Sequence, residues 1–288
     1  MIIMRMQGGL GNQLFQYAAA WALSKRLQQP FGLYVNELKE DRAFRLSQLN
    51  ISVKKVLKPE EMFPEFSVIN NKYVNQALRK LDIAQWSFGN CLYFQQLEDR
   101  FQEEFFTVQA ENIYLNGFFQ CIKYFKEYRT DLLRQFTPAY AAESSYIRML
   151  DQIQHCNSVA VHVRRGDFQL SPHRFHYLLT ETYYKKAIAY IRERVPSPVF
   201  FWFSEDYEWI YEIFGHEDNF YFPGIPSENG DINDIMLMKH CKHIIMANST
   251  FSWWGAWLNE QEGAICIVPE KPFITEGSIP DSWIKFPV

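Results

Sequence analysis

Short apolar runs alternate with helical spacing along the second half of the chain. The apolar runs lie at 159–163, 199–203, 243–247 and 264–268. Apolar residues with helical periodicity lie at about 182–194, 231–241 and 251–258. This alternation predicts β-α-β units, because helices cover both faces of a parallel sheet. The second half therefore predicts one α/β domain with a parallel sheet covered on both faces.

The first half begins with the same alternation of strand and helix patterns, but the alternation does not continue. The predicted elements are a strand at 2–6, a helix at 12–28, strands at 31–35 and 113–119, and a helix at 120–136. Between 36 and 112 the polar and aromatic segments follow no clear period, so we expect an irregular insertion there that shapes a binding pocket.

A change of composition marks a boundary between the two halves. Pro, Ala, Glu and Ser replace the aromatic-rich pattern at 138–145, as expected for a linker. We place the first domain at 1–143 and the second at 144–288. The predicted architecture is two α/β domains facing each other across a cleft.

The composition is that of a globular protein without a general attraction to polyanions. Of the 288 residues, 48% are hydrophobic, which is enough for a substantial core. The net charge of −4 argues against nucleic acid as a partner and restricts any phosphate site to a local cluster. The five cysteines lack metal-site spacing, and no apolar window is long enough to span a bilayer. We expect a cytoplasmic protein with no integral membrane segment.

Two motifs place anion-binding groups directly after predicted strands. Residues 162–167 read His-Val-Arg-Arg-Gly-Asp, and the guanidinium groups of Arg164 and Arg165 can grip phosphate oxygens. Residues 248–254 read Asn-Ser-Thr-Phe-Ser-Trp-Trp, at a predicted helix start whose N–H groups and dipole favour anions. Because ligands of parallel sheets bind at the carboxyl ends of the strands, the two motifs together predict a pyrophosphate site.

Each motif also has a purely structural interpretation. His162 is equally well explained as a buried core histidine, and Asp167 as the salt-bridge partner of an arginine. Ser249 or Thr250 would cap the helix with the same groups that bind an anion, so capping and binding are compatible.

Carboxylates precede two other predicted helices. Glu205 and Asp206 follow the strand at 199–203, where capping of the next helix is the favoured explanation. Asp231 suits the same role in the helix at 231–241. That leaves Asp234 available to accept hydrogen bonds, for instance from the N1–H and amino groups of guanine.

A glycine-rich turn, Gly-Gly-Leu-Gly-Asn-Gln at 8–13, follows the first strand. It lacks the Gly-Lys-Ser/Thr of a P-loop, and a leucine follows where a dinucleotide-binding turn needs a small residue. Gly9 and Gly11 allow a ligand to approach the backbone, and the amides of Asn12 and Gln13 can hydrogen-bond sugar hydroxyls. A structural turn is an equally good interpretation.

Other catalytic signatures are missing from the sequence. It contains no Gly-x-Ser-x-Gly nucleophile turn, no His-Glu-x-x-His zinc motif and no Asp-x-Asp triplet to hold a metal beside a diphosphate. Arginines and helix N–H groups would then stabilise a leaving diphosphate unaided. We therefore expect no cofactor and no metal requirement.

Together these motifs resemble glycosyltransferase family 11, the bacterial-type α-1,2-fucosyltransferases that use GDP-L-fucose. The resemblance covers nearly the whole chain, through the segments 8–17, 114–120, 162–167, 203–206 and 241–257. Segment 117–120 reads Gly-Phe-Phe-Gln where the family has Gly-Tyr-Trp-Gln. Segment 204–206 reads Ser-Glu-Asp in place of Ser-Asp-Asp.

The resemblance implies a GT-B-like architecture of two Rossmann-like domains, with the acceptor side in the first domain and the GDP-fucose site mainly in the second. It implies that Arg164 is catalytic and contacts the pyrophosphate, aided by Arg165. His162 and Asp234 would lie near guanine. The phosphates would contact the helix start at Ser249, Thr250 and Phe251.

The first domain would contribute the glycine turn, with Gly9, Gly11 and Gln13 binding substrate and a catalytic Asn12 pointing toward fucose. The implied enzyme is a galactoside 2-α-L-fucosyltransferase, which transfers L-fucose from GDP-β-L-fucose to the 2-hydroxyl of a terminal galactose with inversion. No carboxylate stands out as the general base. Glu37 and Asp41 lie in the appropriate domain, and a phosphate oxygen is an alternative proton acceptor.

Two other classes of protein share parts of this pattern. A different nucleotide-sugar transferase or a sulfuryl transferase would also use arginines and helix N–H groups. A non-catalytic sugar-binding protein would explain the 8 Trp and 16 Tyr, but it has no need of an arginine pair beside a helix start. For the family 11 interpretation we expect a cytosolic enzyme acting in O-antigen synthesis, with peripheral contact at the inner membrane if its acceptor is lipid-linked.

Overall fold

The computed structural model describes residues 1–35, 43–53, 56–58, 61–97, 101–166, 178–215, 219–224, 227–270 and 277–288. The chain divides into two units between Ala139 and Tyr140. The segment 277–279 belongs to the first unit, although it follows most of the second unit along the chain. This division differs from a single boundary after residue 143, because local composition cannot reveal that a late segment packs with the first unit.

The first unit is built on a mostly parallel sheet. Its strands are β1 (Ile2–Arg5), β2 (Phe31–Tyr34), β3 (Val56–Leu57), β4 (Gln85–Phe88), β5 (Cys91–Gln95) and β6 (Asn112–Asn116). They lie in the order β3-β2-β1-β6-β5-β4, and each pair is parallel except β4 with β5. The hairpin formed by β4 and β5 was not predicted from the sequence. The Gly89-Asn90 pair between the two strands is nevertheless a typical two-residue hairpin turn.

The helices of the first unit are α1 (Leu10–Leu27), α2 (Phe66–Ile69), α3 (Lys72–Lys80) and α4 (Arg129–Gln135). Helix α1 confirms the helix predicted at 12–28. Its alanines Ala18, Ala19 and Ala22 are fully buried, because small side chains let the helix approach the sheet closely. Helix α1 ends at Leu27, and the capping residue Gln28 has a left-handed backbone and donates its N–H to the carbonyl of Ser24.

The prediction of one helix at 120–136 is wrong over its first half. Short 3₁₀ turns occupy Ile122–Tyr124 and Lys126–Tyr128, and α4 begins only at Arg129. Phe125 interrupts the helical path with a φ of −144°, while its ring and that of Tyr124 are buried. Packing of these aromatic side chains therefore overrides their helical spacing.

The second unit confirms the predicted alternation of strands and helices. Its strands are β7 (Asn157–Val163), β8 (Pro198–Ser204), β9 (Phe220–Tyr221), β10 (His243–Ile245), β11 (Cys266–Pro269) and β12 (Ile284–Phe286). They lie in the order β12-β11-β10-β7-β8-β9, and each pair is parallel. The edge strands β9 and β12 escaped prediction because two or three residues carry no measurable period.

The helices of the second unit are α5 (Ser144–Gln154), α6 (Glu181–Arg194), α7 (Tyr207–Phe214), α8 (Gly230–His240) and α9 (Thr250–Trp257). Helices α8 and α9 pack closely through Gly255, because a Cβ atom there would lie 2.9 Å from the Cβ of Met238. In the part of the chain that the structure describes, no helix combines the length and apolarity needed to cross a membrane.

Candidate functional site

The carboxyl ends of β7 and β10 bring the two predicted anion-binding motifs together. His162 is the penultimate residue of β7, and α9 begins shortly after β10, the neighbouring strand. The ring of Phe251, in the first turn of α9, packs on the ring of His162 with centroids 5.4 Å apart. The predicted convergence of the His-x-Arg segment with the helix start is therefore a feature of the fold.

His162 is a buried, neutral member of this edge. It is 4% exposed, and desolvation, followed by the charge of Arg164, lowers its pKa to about 3. Among the described residues nothing hydrogen-bonds its Nδ1 atom. The hydroxyl of Tyr184 donates to its backbone carbonyl at 3.1 Å and so anchors the strand end to α6. Contact with guanine stays a prediction for this residue.

The two arginines after β7 have acidic partners that follow β8. Arg164 Nη1 lies 2.9 Å from Glu205 Oε1, and Arg165 Nε lies 3.0 Å from Asp206 Oδ2. Arg165 also stacks over the ring of Trp209 at 4.5 Å. Arg165 is therefore held in place by both Asp206 and Trp209. The described ion pair of Arg164 is instead with Glu205, whose side chain is 63% exposed.

Sequence analysis identified Glu205 and Asp206 only as helix-capping residues. Asp206 does cap α7, because its Oδ1 accepts the N–H of Trp209 at 3.1 Å. The missed signal is that β7 and β8 are neighbouring parallel strands, with Val163 opposite Ser204. Charged residues that follow such strands meet at one edge of the sheet. The predicted arginine partner Asp167 lies outside the described residues.

The start of α9 is capped as predicted. Ser249 Oγ accepts the N–H of Phe251 at 3.2 Å, and the Ser249 N–H donates to the carbonyl of Ala247 at 2.9 Å. Thr250 follows as the first helical residue and is nearly buried. This arrangement fixes the positive end of the helix beside His162. Contacts of Ser249, Thr250 and Phe251 with phosphates stay predictions.

Asp234 is a partly buried carboxylate on α8, the helix packed against α9. Among the described residues it has no hydrogen-bond or salt-bridge partner. Desolvation, together with the nearby negative charge of Asp231, raises its pKa to about 7. Burial raises the pKa of Tyr207 and the charge of Asp234 raises it as well, which places the carboxylate close to the start of α7. Helix α8 begins at Gly230, so Asp231 lies in its first turn and not at the capping position.

The glycine turn of the first unit is shaped by close packing. Gly8 has a φ of +76°, and a Cβ atom there would lie 2.4 Å from Asn12 Nδ2, so only glycine fits. Gly9 occupies the N-cap position of α1 without a side-chain cap, and nothing lies within 4 Å of the Cβ it lacks. The geometry of Gly9 therefore leaves room for a ligand at the turn, while Gly11 is buried.

Gln13 has a structural task in this geometry. Its side chain is fully buried, and its Nε2 donates to the carbonyls of Gly8 and Ala43 at 3.0 and 2.9 Å. Its Oε1 accepts the N–H of Arg45 at 3.0 Å. Every polar atom of the amide is thus engaged within the protein. The sequence-based assignment of Gln13 to substrate binding lacks geometric support, because sequence cannot distinguish a buried amide from an exposed one.

A loop after β6, defined by residues 117–120, adds an element that the sequence analysis left without a role. Gln120 Nε2 donates to Asn12 Oδ1 at 2.9 Å, so the loop orients the predicted catalytic amide. Gln96 Oε1 accepts the N–H groups of Phe118 and Phe119 at 3.0 and 2.6 Å. Phe119 is buried with a φ of +52°, whereas Phe118 is 37% exposed. The loop therefore holds one aromatic ring rigidly toward solvent.

No three His, Cys, Asp or Glu side chains converge on a metal position within the described ranges. Metal independence stays a prediction. The carboxylates considered as general bases, Glu37 and Asp41, lie outside the described residues.

The sequence profile of glycosyl transferase family 11 matches residues 1–285. This chain belongs to glycosyltransferase family 11. The family 11 enzyme is 32% identical to the O-antigen biosynthesis glycosyltransferase WbnK of Escherichia coli, over 97% of this chain and 98% of WbnK. It is 34% identical to an α-1,2-colitosyltransferase of Escherichia coli, over 99% of this chain and 98% of that protein. It is also 25% identical to galactoside α-(1,2)-fucosyltransferase 2 of Hylobates lar, over 93% and 72% of the two chains.

The fold of the family 11 enzyme is similar to that of a solved fucosyltransferase, NodZ from Bradyrhizobium. The TM-score is 0.51 at 14% sequence identity, over 94% of this chain and 95% of NodZ. With its two parallel-sheet domains, the enzyme has the GT-B type of α/β fold. The predicted fold class is thereby confirmed.

Proposed function

We propose that this family 11 enzyme transfers L-fucose from GDP-β-L-fucose to the 2-hydroxyl of a terminal galactose. The reaction would invert the anomeric carbon, create an α-1,2 linkage and need no metal ion. The linkage is supported by two relatives whose names specify α-1,2 transfer. The observation that supports a GDP donor is Asp234, a partly buried carboxylate with no hydrogen-bond partner among the described residues.

Asp234 has the chemistry that guanine requires. The N1–H and 2-amino groups of guanine are two parallel donors, and a carboxylate is an acceptor with two oxygens. Adenine presents no such pair on its corresponding edge, so a carboxylate selects guanine. Asp234 is only partly exposed and has no hydrogen-bond partner among the described residues, so its oxygens are available to such donors. We therefore place the base of the donor beside α8.

The diphosphate would lie at the carboxyl ends of β7 and β10. There Arg164 can exchange its exposed partner Glu205 for phosphate oxygens, and the start of α9 contributes oriented N–H groups. As the bond between fucose and GDP breaks, negative charge develops on the diphosphate. Fixed positive groups stabilise that charge more than they stabilise the ground state, and this difference accelerates the reaction.

The acceptor would bind to the first domain, near Asn12 and the loop 117–120. Pyranose rings present an apolar face of C–H groups that stacks on aromatic side chains. Phe118 offers such a face on a loop held by Gln96 and joined to Asn12 through Gln120. We assign Phe118 to the acceptor galactose or to the sugar that follows it.

Replacing Phe118 with alanine is expected to raise the acceptor KM about tenfold, because one aromatic stacking contact is lost. The KM for GDP-fucose and the hydrolysis of GDP-fucose without acceptor should not change. Phe118→Tyr should retain the acceptor KM, and Phe88→Ala is the matched control, since Phe88 is another exposed phenylalanine of the same unit. An unchanged acceptor KM in Phe118→Ala would remove the residue from the acceptor site.

Colitosyl transfer is the second candidate activity, because one relative is a colitosyltransferase. L-Colitose differs from L-fucose by the loss of the 3-hydroxyl, so both sugars fit the same mechanism. Competition between GDP-fucose and GDP-colitose for one galactoside acceptor measures the ratio of kcat/KM values directly. If the ratio favours GDP-colitose, then GDP-colitose is the donor and not GDP-fucose. The proposed GDP site and the proposed α-1,2 linkage would be unaffected.

The deciding experiment incubates purified protein and GDP-fucose with lactose, lacto-N-biose or N-acetyllactosamine in the presence of EDTA. We expect an α-1,2-linked fucosyl-galactose, which NMR identifies by its linkage and anomeric configuration. Release of GDP without glycoside would retain the donor site and exclude these acceptors. Absence of both turnover and GDP binding would overturn the proposal in favour of another transferase or a sugar-binding protein.

One of the relatives acts in O-antigen biosynthesis according to its name. We extend that role to this enzyme, with acceptors that are O-antigen precursors and a reaction that takes place in the cytosol.

A further inference from the structure

Helix α3 (Lys72–Lys80) is amphipathic but turns its apolar side toward solvent. Its sequence, Lys-Tyr-Val-Asn-Gln-Ala-Leu-Arg-Lys, has apolar residues at helical spacing that continue to Leu81. In a globular domain such a face normally packs on the core. Here none of the residues of α3 is buried, and Tyr73 and Leu81 are 72% and 69% exposed. Leu78 is partly buried, but within the described residues nothing buries the side of α3 that carries Tyr73 and Leu81.

The local sequence builds this helix firmly in spite of its exposure. Asn71 caps the start, because its Oδ1 accepts the N–H groups of Tyr73 and Val74 at 3.0 and 3.2 Å. Arg79 and Lys80 lie in the last turn, where positive charge stabilises the helix dipole. The exposed apolar face is thus a feature of a well-formed helix and not of a frayed segment.

The charge on α3 is opposite to that of the whole chain. The helix carries Lys72, Arg79 and Lys80 and contains no acidic residue, whereas the chain has a net charge of −4. An exposed apolar face bordered by basic side chains is characteristic of helices that lie in the interface of an anionic membrane. Lys and Arg beside such a face attract anionic headgroups, and tyrosine is suited to the boundary between headgroups and acyl chains.

The small size of the face argues against a second copy of this chain as the occupant. Helix α3 has nine residues, so it is only about 14 Å long and about 10 Å wide. A stable protein interface buries about 800 Å² on each partner, several times more than this face offers. A membrane needs no such area, because shallow insertion of a few side chains is supplemented by charge attraction.

We propose that α3 docks the protein on a membrane surface rich in anionic lipids. Tyr73, Val74 and Leu81 enter the interface, and the basic side chains contact headgroup phosphates. This assignment is independent of the identity of the sugar donor. It gives the first domain a fixed approach to the surface on which a lipid-linked acceptor would be presented.

The full-length protein is tested by co-sedimentation with two kinds of vesicle. One contains phosphatidylglycerol and phosphatidylethanolamine, and the other contains phosphatidylcholine alone. We expect binding to the anionic vesicles, weaker binding at high salt and little binding to phosphatidylcholine. The double variant Tyr73→Ser with Leu81→Ser should lose at least about tenfold in affinity for the anionic vesicles, because its apolar anchor is removed.

Matched control variants test whether membrane binding depends on α3 or on any exposed basic or apolar residue. The double variant Arg79→Gln with Lys80→Gln should abolish the preference for anionic lipid. The control, Lys186→Gln with Lys285→Gln, removes the same charge from exposed positions of the second unit and should leave that preference unchanged. Ile147→Ser, at an apolar residue 53% exposed on α5, is the control for Tyr73 and Leu81. All variants should retain turnover of a water-soluble acceptor.

Two results would overturn the assignment. One is equal binding of the wild-type protein to both kinds of vesicle, or binding to neither. The other is a wild-type dimer in solution that the double variant Tyr73→Ser with Leu81→Ser converts to a monomer, since a second copy would then cover α3.

Discussion

Replacing Arg164 with alanine is expected to lower kcat about 100- to 1000-fold while the protein remains folded. The side chain follows β7 at the edge where α9 begins, and its described ion pair is with the exposed carboxylate of Glu205. A guanidinium group in this position stabilises charge that appears on the diphosphate only as the glycosidic bond breaks. Its removal should therefore affect turnover more than the KM for GDP-fucose. Steady-state kinetics with both substrates varied measures the two effects separately.

The control for this variant is Arg148→Ala, which removes an exposed arginine from α5 of the same unit. It should have the turnover of the wild-type protein. Circular dichroism and thermal unfolding of both variants exclude misfolding as the cause of lost activity. Near-normal turnover in a folded Arg164→Ala protein would show that Arg164 does not stabilise the transition state.

Replacing Asp234 with asparagine is expected to weaken GDP binding about 10- to 100-fold above pH 7, because a charged acceptor of two guanine N–H groups is lost. One of the two donors would also face the amide NH₂ group and not an oxygen. The same variant should lose discrimination between GDP and ADP. Isothermal titration calorimetry with both nucleotides measures these changes.

The affinity of the wild-type protein for GDP should also depend on pH through Asp234. Burial raises the pKa of this carboxyl to about 7 in the empty protein. Hydrogen bonds from guanine favour the ionised form, so the pKa falls when GDP binds. Affinity is then greatest above about pH 7 and declines by up to roughly tenfold for each pH unit below it. His162 does not contribute in this range, because its pKa is already lowered to about 3.

Two variants isolate this dependence from the titration of GDP itself. In Asp234→Asn, the pH dependence of GDP affinity comes only from ionisation of the terminal phosphate. Subtracting this profile from that of the wild-type protein leaves the contribution of Asp234. Asp231→Asn removes the charge that raises the pKa of Asp234, so the midpoint should move to lower pH while the affinity at high pH is retained. A wild-type profile identical to that of Asp234→Asn would exclude a contact between this carboxylate and guanine.

The second domain was predictable because its strands and helices have distinct periods and alternate regularly. The meeting of His162 with Phe251 follows from that alternation, since His162 lies at the end of β7 and Phe251 follows β10, its neighbour in the parallel sheet. Sequence could not supply the partners of the arginines. Glu205 and Asp206 reach them only because β8 lies beside β7, and strand order depends on packing that no local pattern contains.

The first domain shows the opposite case. Its periodic part, β1 through β2, was recognised, but sequence could not show that the Gln13 amide is buried and hydrogen-bonded within the protein, or that Phe125 interrupts the helix predicted at 120–136. An amide or an aromatic ring has the same identity in a core and at a surface, and only tertiary packing decides between them. Phe118 and Phe119 are adjacent phenylalanines, yet one is exposed and the other is buried with a left-handed backbone.

The unpartnered carboxylate on α8 also has a consequence for the thermodynamics of folding. An unfolded chain holds Asp234 at its ordinary pKa of 3.8, whereas the folded protein holds it at about 7. Each unit of such a difference corresponds to about 1.4 kcal/mol, and for a raised carboxyl pKa the folded state loses stability as pH rises between the two values. At neutral pH the empty protein is therefore less stable than its packing would permit. Binding of a ligand that donates to Asp234 would restore that stability, so resistance to unfolding would depend on whether the site is filled.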